Sequence, residues 1–184
     1  EQMEMQFFVP PGTELDFYEN WKQKRLNWHL ALGLGQENYR FHDHEKLAHY
    51  ANAAADIEFK FPFGFKELEG IHSRTDFDLG AHEKYSGRKL QYFDPERNET
   101  YVPYVVETSI GLDRMFLALF SHCLKNEVLE DGSERVVLAL PPALAPVKAA
   151  ILPLVKKDGL PELAEKIFND LKYDFNIISE EKDS

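Results

Sequence analysis

The sequence predicts an α+β fold, in which an antiparallel sheet is flanked by helices and a smaller, incomplete α/β segment follows. Three observations predict it. Residues 1–9, "EQMEMQFFV", alternate polar and apolar, the period-two pattern of a strand with one wet and one dry face. Residues 56–71, "DIEFKFPFGFKELEGI", are aromatic and alternate on either side of a turn at 62–64, which reads as two antiparallel strands. Beyond residue 132, short apolar runs flank the helical "LPELAEKIFNDLKY", a strand–helix–strand order that suits parallel pairing.

The remaining elements follow in order. "PPG" at 10–12 ends the first strand, and Thr13 is placed to cap a long helix with Leu15, Tyr18, Trp21 and Leu26 near helical spacing. Gly33 and Gly35 close that helix. "HEKLAHYANAAA" (44–55) reads as a shorter helix, and another short helix is expected after Thr75. Residues 90–94 and 100–108 form a hairpin pair joined by "PERNE". "VVETSIGLDRMFLALF" (105–120) starts as a strand and ends as an apolar helix, with Thr108 or Ser109 as its N-cap. "EVLEDGSE" (127–134) is a charged, turn-rich linker. The expected division is therefore 1–132 and 133–184.

The bulk numbers bound the function. Hydrophobic residues make up 43% of 184, enough to bury a core. A net charge of −11 argues against a free-standing nucleic-acid binder. One cysteine, Cys123, permits no disulfide framework and no cysteine zinc site, which suits a reducing, cytoplasmic setting. There is no signal peptide and no apolar run of membrane-spanning length, so no membrane partner is expected. Both ends look cut, as in a piece of a longer protein.

Two stretches carry candidate chemistry. Glu107, Ser109, Gly111 and Arg114 gather where a strand meets a helix. A helix N-terminus with an arginine one turn in suits an anion, and Glu107 suits a cation or ammonium; a structural ion pair between Glu107 and Arg114 explains the same residues. In "KELEGIHSRTDFDL" (66–79), Glu67 and Glu69 are expected on one strand face, as ligands for a hard cation or as an exposed charged edge. His42, His44 and His49 lack the spacing of a metal site and read as ordinary histidines. Gly-rich phosphate loop, nucleophile elbow and HExxH are all absent.

Taken together, "EQMEMQFFV", "FPFGFKELEGIHSRTDFDL" and "YVPYVVETSIGLDRMFLALF" resemble consecutive blocks of a class II aminoacyl-tRNA synthetase. The first is similar to the second strand of that class's second motif, the last to its third. The nearest resemblance is to the glycyl-tRNA synthetase family of the dimeric, eukaryote-like type. "RVVLALPPALAPVKAAILPLVKK" resembles the start of its anticodon-binding domain.

The resemblance implies a partial catalytic core in 1–132 and the beginning of an anticodon-binding domain in 133–184. It also implies the reaction: ATP-dependent activation of glycine to glycyl-adenylate, then transfer to the 3′ end of tRNA(Gly), by a homodimeric enzyme. Carried over by position, Arg114 and Glu107 are catalytic, with Arg114 on the ATP γ-phosphate. Glu67, Leu68, Gly111, Leu112, Asp113 and Arg114 bind ATP, and Glu67 and Glu107 are placed at Mg²⁺. Glu1, Gln2, Met3, Glu4, Arg74, Glu107, Thr108, Ser109, Ile110 and Gly111 line the glycine site. In that set Glu4 reads the ammonium and Arg74 the carboxylate. The first class II motif and the first strand and loop of the second have no counterpart here, so the fragment alone is expected to be inactive. The competing reading is a synthetase-like accessory module that binds without catalysis.

Overall fold

Fifteen helices and strands carry the architecture of the computed structural model, which describes residues 1–179. In chain order they are β1 (Gln2–Val9), α1 (Glu14–Ala31), β2 (Tyr39–Asp43), β3 (Ala53–Phe61), β4 (Gly64–Thr75), α2 (Phe77–Ser86), β5 (Tyr92–Asp94), β6 (Glu99–Tyr101), β7 (Tyr104–Gly111), α3 (Leu112–Cys123), β8 (Leu124–Val128), β9 (Glu134–Leu138), β10 (Ala149–Ile151), α4 (Leu160–Leu171) and β11 (Ile177–Ser179). The main sheet has the order β1-β7-β4-β3-β2, and every neighbouring pair is antiparallel. The mixed α+β class with an antiparallel sheet is as the alternating patterns predict.

Register decides which side chains meet. Directly opposed residues share a sheet face. One row therefore crosses all five strands as Glu4, Ser109, Gly70, Asp56 and His42. The next contains Gln6, Glu107 and His72. These rows make the polar face. The alternate rows hold Met3, Ile110, Ile57 and Phe41, then Met5, Thr108, Ile71 and Ala55. On that dry side Ile57, Ile71 and Val106 are fully buried, and Phe59 nearly so.

β4 carries the one irregularity that matters for the polar face. Ile57 opposes Glu69, but Glu58 opposes Glu67, so Leu68 is an extra residue on β4. A bulge shifts the phase of the alternation. Glu67 consequently joins the polar face, while Glu69 points to the dry side and is fully buried. The expectation that Glu67 and Glu69 share a face is corrected by this bulge.

Three further expectations change. Residues 44–55 form a connection and the start of β3, not a helix. Their alanines favour helix in isolation, yet Ala54 and Ala55 are buried in sheet pairing, and tertiary contacts override that preference. β7 runs on to Gly111, so α3 starts only at Leu112, beyond Thr108 and Ser109, and no side chain caps it. Residues 127–134 are the strand ends and turn of a β8–β9 hairpin rather than a linker. The first compact unit accordingly extends over Glu1–Ala139, and the second begins at Leu140. In the second unit β10 and β11 pair in parallel, with α4 between them in sequence and Pro161 in its first turn, as the strand–helix–strand pattern predicts.

α1 covers the expected span, but its buried residues are Glu14, Tyr18 and His29, while Leu15 is exposed. α3 buries Met115, Ala118 and Cys123 and leaves Phe116 and Phe120 stacked on its outer side.

Core truncation tests this packing. Phe59→Ala should lower unfolding free energy by about 3–5 kcal/mol, whereas Phe63→Ala, at an exposed position, should change it by about 0.5 kcal/mol or less. Denaturant titration of the two variants reads the difference.

Candidate active site

Two charged clusters lie on the polar face, one just past the end of β7 and one at its middle. The first is at the β7–α3 junction. Arg114, third residue of α3, donates from Nη1 to the Glu67 carbonyl oxygen at 2.7 Å and lies 3.3 Å from Glu67 Oε2. The bulge at Leu68 brings both Glu67 groups to this position. The guanidinium is about half exposed, with 53% of the side chain open to solvent. Around it lies a cleft of about 290 Å³ lined by Glu1, Gln2, Glu67, Leu68, Ser109, Gly111, Asp113 and Arg114. An uncapped helix N-terminus and a half-exposed guanidinium converge on one small polar volume, which suits an anion.

The second cluster is centred on Glu107. Arg74 donates to its Oε1 at 3.0 Å, and Gln6 donates to Oε2. His72 Nδ1 stands 3.7 Å from Oε1, the reach of an ion pair and not of a direct hydrogen bond. Arg74 also binds Asp78 of α2 at 2.8 Å and stacks over the Tyr50 ring at 4.3 Å. The His72 ring, helped by Gln6 and Arg74, outweighs partial burial and pulls the Glu107 carboxyl down to about 2. Arg74 is pushed upward: burial opposes its charge, but Asp78 and Glu107 outweigh it. Between the clusters, Gln2 donates to Ser109 Oγ at 3.2 Å, and Ser109 Oγ donates to Glu4 at 3.5 Å. Glu4 is exposed, with no closer polar partner than that long contact among the described residues.

Two glycines differ in meaning. A Cβ on Gly70 would lie 2.7 Å from His72 Cε1, so the bare backbone there lets the ring lie flat on the sheet. A Cβ on Gly111 would make only ordinary contact with Arg114, so the chain's own packing does not require glycine there.

Most of the expected site residues are thus on one face, but not all. Met3, Thr108 and Ile110 alternate to the other side of the sheet, away from the Arg114 cleft, and line a cleft of about 240 Å³ with Glu4, Met5, Arg25 and Trp28. Leu112 and Asp113 lie at the start of α3, and Asp113 reaches the cleft rim. The Glu107–Arg114 ion pair is not formed; each pairs within its own cluster. Glu67 and Glu107 are also not brought together. His72 faces Glu107 five positions along β4 from Glu67, roughly 15 Å at strand rise, too far to share one ion. No cluster of three or more His, Cys, Asp or Glu side chains able to hold a metal occurs among the described residues. Sequence reasoning missed Gln6, His72 and Asp78; the period-two spacing of Gln6 from Glu4, and of His72 from Arg74, was the available signal.

A larger cleft of about 590 Å³ lies by Phe8, Tyr92 and Tyr101. Its charged lining is Asp94 and Glu96, which suits no anion.

Relatives among curated proteins share this stretch. The chain is 53% identical to a glycine–tRNA ligase of Chlorobaculum tepidum over 178 residues, covering 96% of the chain and 38% of that protein. A glycine–tRNA ligase of Borrelia hermsii is also 53% identical, over 180 residues, 95% of the chain and 40% of the relative. One of Bacillus anthracis is 50% identical over 186 residues, covering all of the chain and 40% of the relative. No protein-family model matches. The resemblance to glycyl-tRNA synthetases drawn from the sequence is thereby borne out along nearly its whole length, while the chain spans about two fifths of these relatives.

The Glu107 cluster has a pH signature. A carboxyl lowered from 4.5 to about 2 contributes stability that is full above about 4.5 and lost as pH falls through about 2. Relative to Glu107→Gln, the parent chain should be more stable by about 2–3 kcal/mol at pH 6. The gap should shrink steadily between pH 4.5 and 2. Paired denaturant titrations across that range check it.

Proposed function

We propose that the chain is the later part of a class II aminoacyl-tRNA synthetase core specific for glycine, followed from Leu140 by the start of an anticodon-binding domain. The observation that carries the reading is the identity of about half of all residues with glycine–tRNA ligases from one end of the chain to the other. The full-length protein then joins glycine to tRNA(Gly) at the expense of ATP, as a homodimer in the cytoplasm.

The residues divide the work as follows. Arg114 and the first turn of α3 hold the β- and γ-phosphates in the cleft. Glu67, exposed at the same place, is the residue fit to meet a Mg²⁺ that travels with the triphosphate. Glu107 does not fit that ion, because both its oxygens are engaged. Mg²⁺ when bound supplies charge neutralisation on the phosphates. Glu4 and Ser109 meet the glycine ammonium, and Arg74, held in place by Glu107 and Asp78, meets its carboxylate.

The chemistry needs little else. A glycine carboxylate oxygen attacks the ATP α-phosphorus, the bond to the β-phosphate oxygen breaks, and pyrophosphate leaves. A ribose hydroxyl at the tRNA 3′ end then attacks the adenylate carbonyl and AMP leaves. Positioning and charge stabilisation carry such steps, so no general base is assigned. Glycine offers no side chain to grip. Selectivity therefore rests on ammonium and carboxylate contacts and on walls that exclude a Cβ.

In the full-length protein, glycine-dependent ATP–pyrophosphate exchange should be robust. Arg114→Ala should lower kcat/KM for ATP by about a hundredfold or more, while stability changes by about 0.5 kcal/mol, because the side chain is half exposed. Absence of exchange by the unmodified protein would leave only a binding module.

A further inference from the structure

The dry face of the sheet contains one charged cluster that the proposed chemistry does not use. Glu69 is fully buried there. Arg25 of α1 grips it with two bonds, Nε to Oε1 at 2.6 Å and Nη2 to Oε2 at 3.2 Å. His29, one turn further along α1 and also fully buried, places Nε2 2.7 Å from Oε2. Trp28 stacks against the Arg25 guanidinium at 4.5 Å and meets the His29 ring edge-on. Burial by itself raises a carboxyl, yet here the His29 and Arg25 bonds outweigh it and lower Glu69. His29 Nδ1 has no hydrogen-bond partner. A ring that donates from Nε2 leaves Nδ1 a bare acceptor, the less costly atom to bury unpaired.

A buried ion cluster is expensive to desolvate and adds little net stability over apolar packing. Its place in the register suggests what it does. Glu69 is the first residue of β4 to pair with β7, opposite Ile110; residues 64–67 pair only with β3, and Leu68 pairs with neither. Glu69 therefore stands at the point where the strand loses one of its two neighbours. The bulged Leu68 comes immediately before it, and then Glu67, whose carbonyl and carboxylate hold Arg114. A bulge released from one ladder has freedom to slip, and a one-residue slip turns Glu67 away from the polar face.

We propose that Arg25 and His29 are positioning residues for the Arg114 clamp: by gripping Glu69 from behind the sheet they pin the Leu68 bulge, and so hold Glu67 and Arg114 at the phosphate cleft. This deepens the proposed function and rests on it. His29 is fully buried and out of reach of any substrate. Arg25 and His29 act through the backbone of residues 67–69, on phosphate binding rather than on glycine.

The test uses the full-length protein with His29→Leu and His29→Gln. Leucine fills the space without a donor; glutamine keeps an amide donor for Glu69. His29→Leu should raise the ATP KM by about tenfold, with the glycine KM moved by less than threefold, and His29→Gln should restore the ATP KM to within threefold of the parent. Amide hydrogen exchange of residues 66–70 should speed up at least tenfold in His29→Leu and return in His29→Gln. A lowered melting temperature with the ATP KM and the exchange of residues 66–70 both unchanged would make the cluster merely structural and overturn the proposal. Equal loss for ATP and glycine would overturn it as well. Exchange of residues 66–70 does not depend on catalysis. If the unmodified protein shows no pyrophosphate exchange, the functional reading fails, and the pinning of the bulge is still decided by the amide data.

Discussion

The Glu107 carboxylate ties the polar face together. It sits on β7, between the edge strand β1 and the long strand β4, and takes a donor from each: Gln6 on one side and Arg74 on the other. Arg74 extends the link to α2 through Asp78 and to the β2–β3 connection through Tyr50. One buried carboxylate therefore cross-links three strands, a helix and a loop. Removing it strands a cation that burial already disfavours, which is costlier than losing a surface pair. The geometry of the amino-acid end of the proposed site follows from this network, because Arg74 has no freedom to swing while both carboxylates hold it.

The phosphate end depends on a different constraint, the phase of side-chain alternation. A strand puts its residues on alternate faces, so Glu67 and Glu69 in a regular β4 would share one. The extra residue at Leu68 breaks that rule and separates them by one sheet thickness. Two carboxylates two positions apart thereby serve opposite surfaces, one exposed beside Arg114 and one sealed under α1. Both are matched with an arginine, which keeps each end of the bulge electrically closed.

Legibility in the sequence followed the physics of each element. β1, β3, β4 and β7 alternate strongly or carry β-branched and aromatic residues, and their hairpin turn at 62–64 is marked by proline and glycine, so all four were readable. The parallel β10–α4–β11 unit was readable for the same reason. The helix expected at 44–55 was not found, because its alanines are small for packing in a sheet and not for helix formation. The buried face of α1 was invisible to apolar periodicity, since Glu14, Tyr18, Arg25 and His29 supply its contacts. Site residues were legible through resemblance and not through spacing. Met3, Thr108 and Ile110 came with a run of neighbours carried over whole, and alternation turns them to the face opposite Ser109 and Arg114. The bulge had no signal in a single sequence: "KELEG" reads as regular alternation.

Charge sets the last condition on the proposed reading. A chain of net −11 repels a triphosphate at long range. At physiological ionic strength that repulsion fades over about 8 Å, so what happens inside the cleft is decided by its nearest groups. Those are Arg114, the α3 N-terminus, Glu1, Glu67 and Asp113. Their formal charges cancel only in part, leaving three carboxylates against one guanidinium and a helix end worth roughly half a charge. A bare triphosphate therefore gains little there. With a divalent cation bound to the triphosphate, Glu67 would hold the metal, which would supply charge neutralisation, and Arg114 would be left to the phosphates. On this reading the Arg114–Glu67 pair is a resting contact: each group holds the place of the charge that the loaded nucleotide brings, which is why the pair is exposed while the Arg74–Glu107 pair is not.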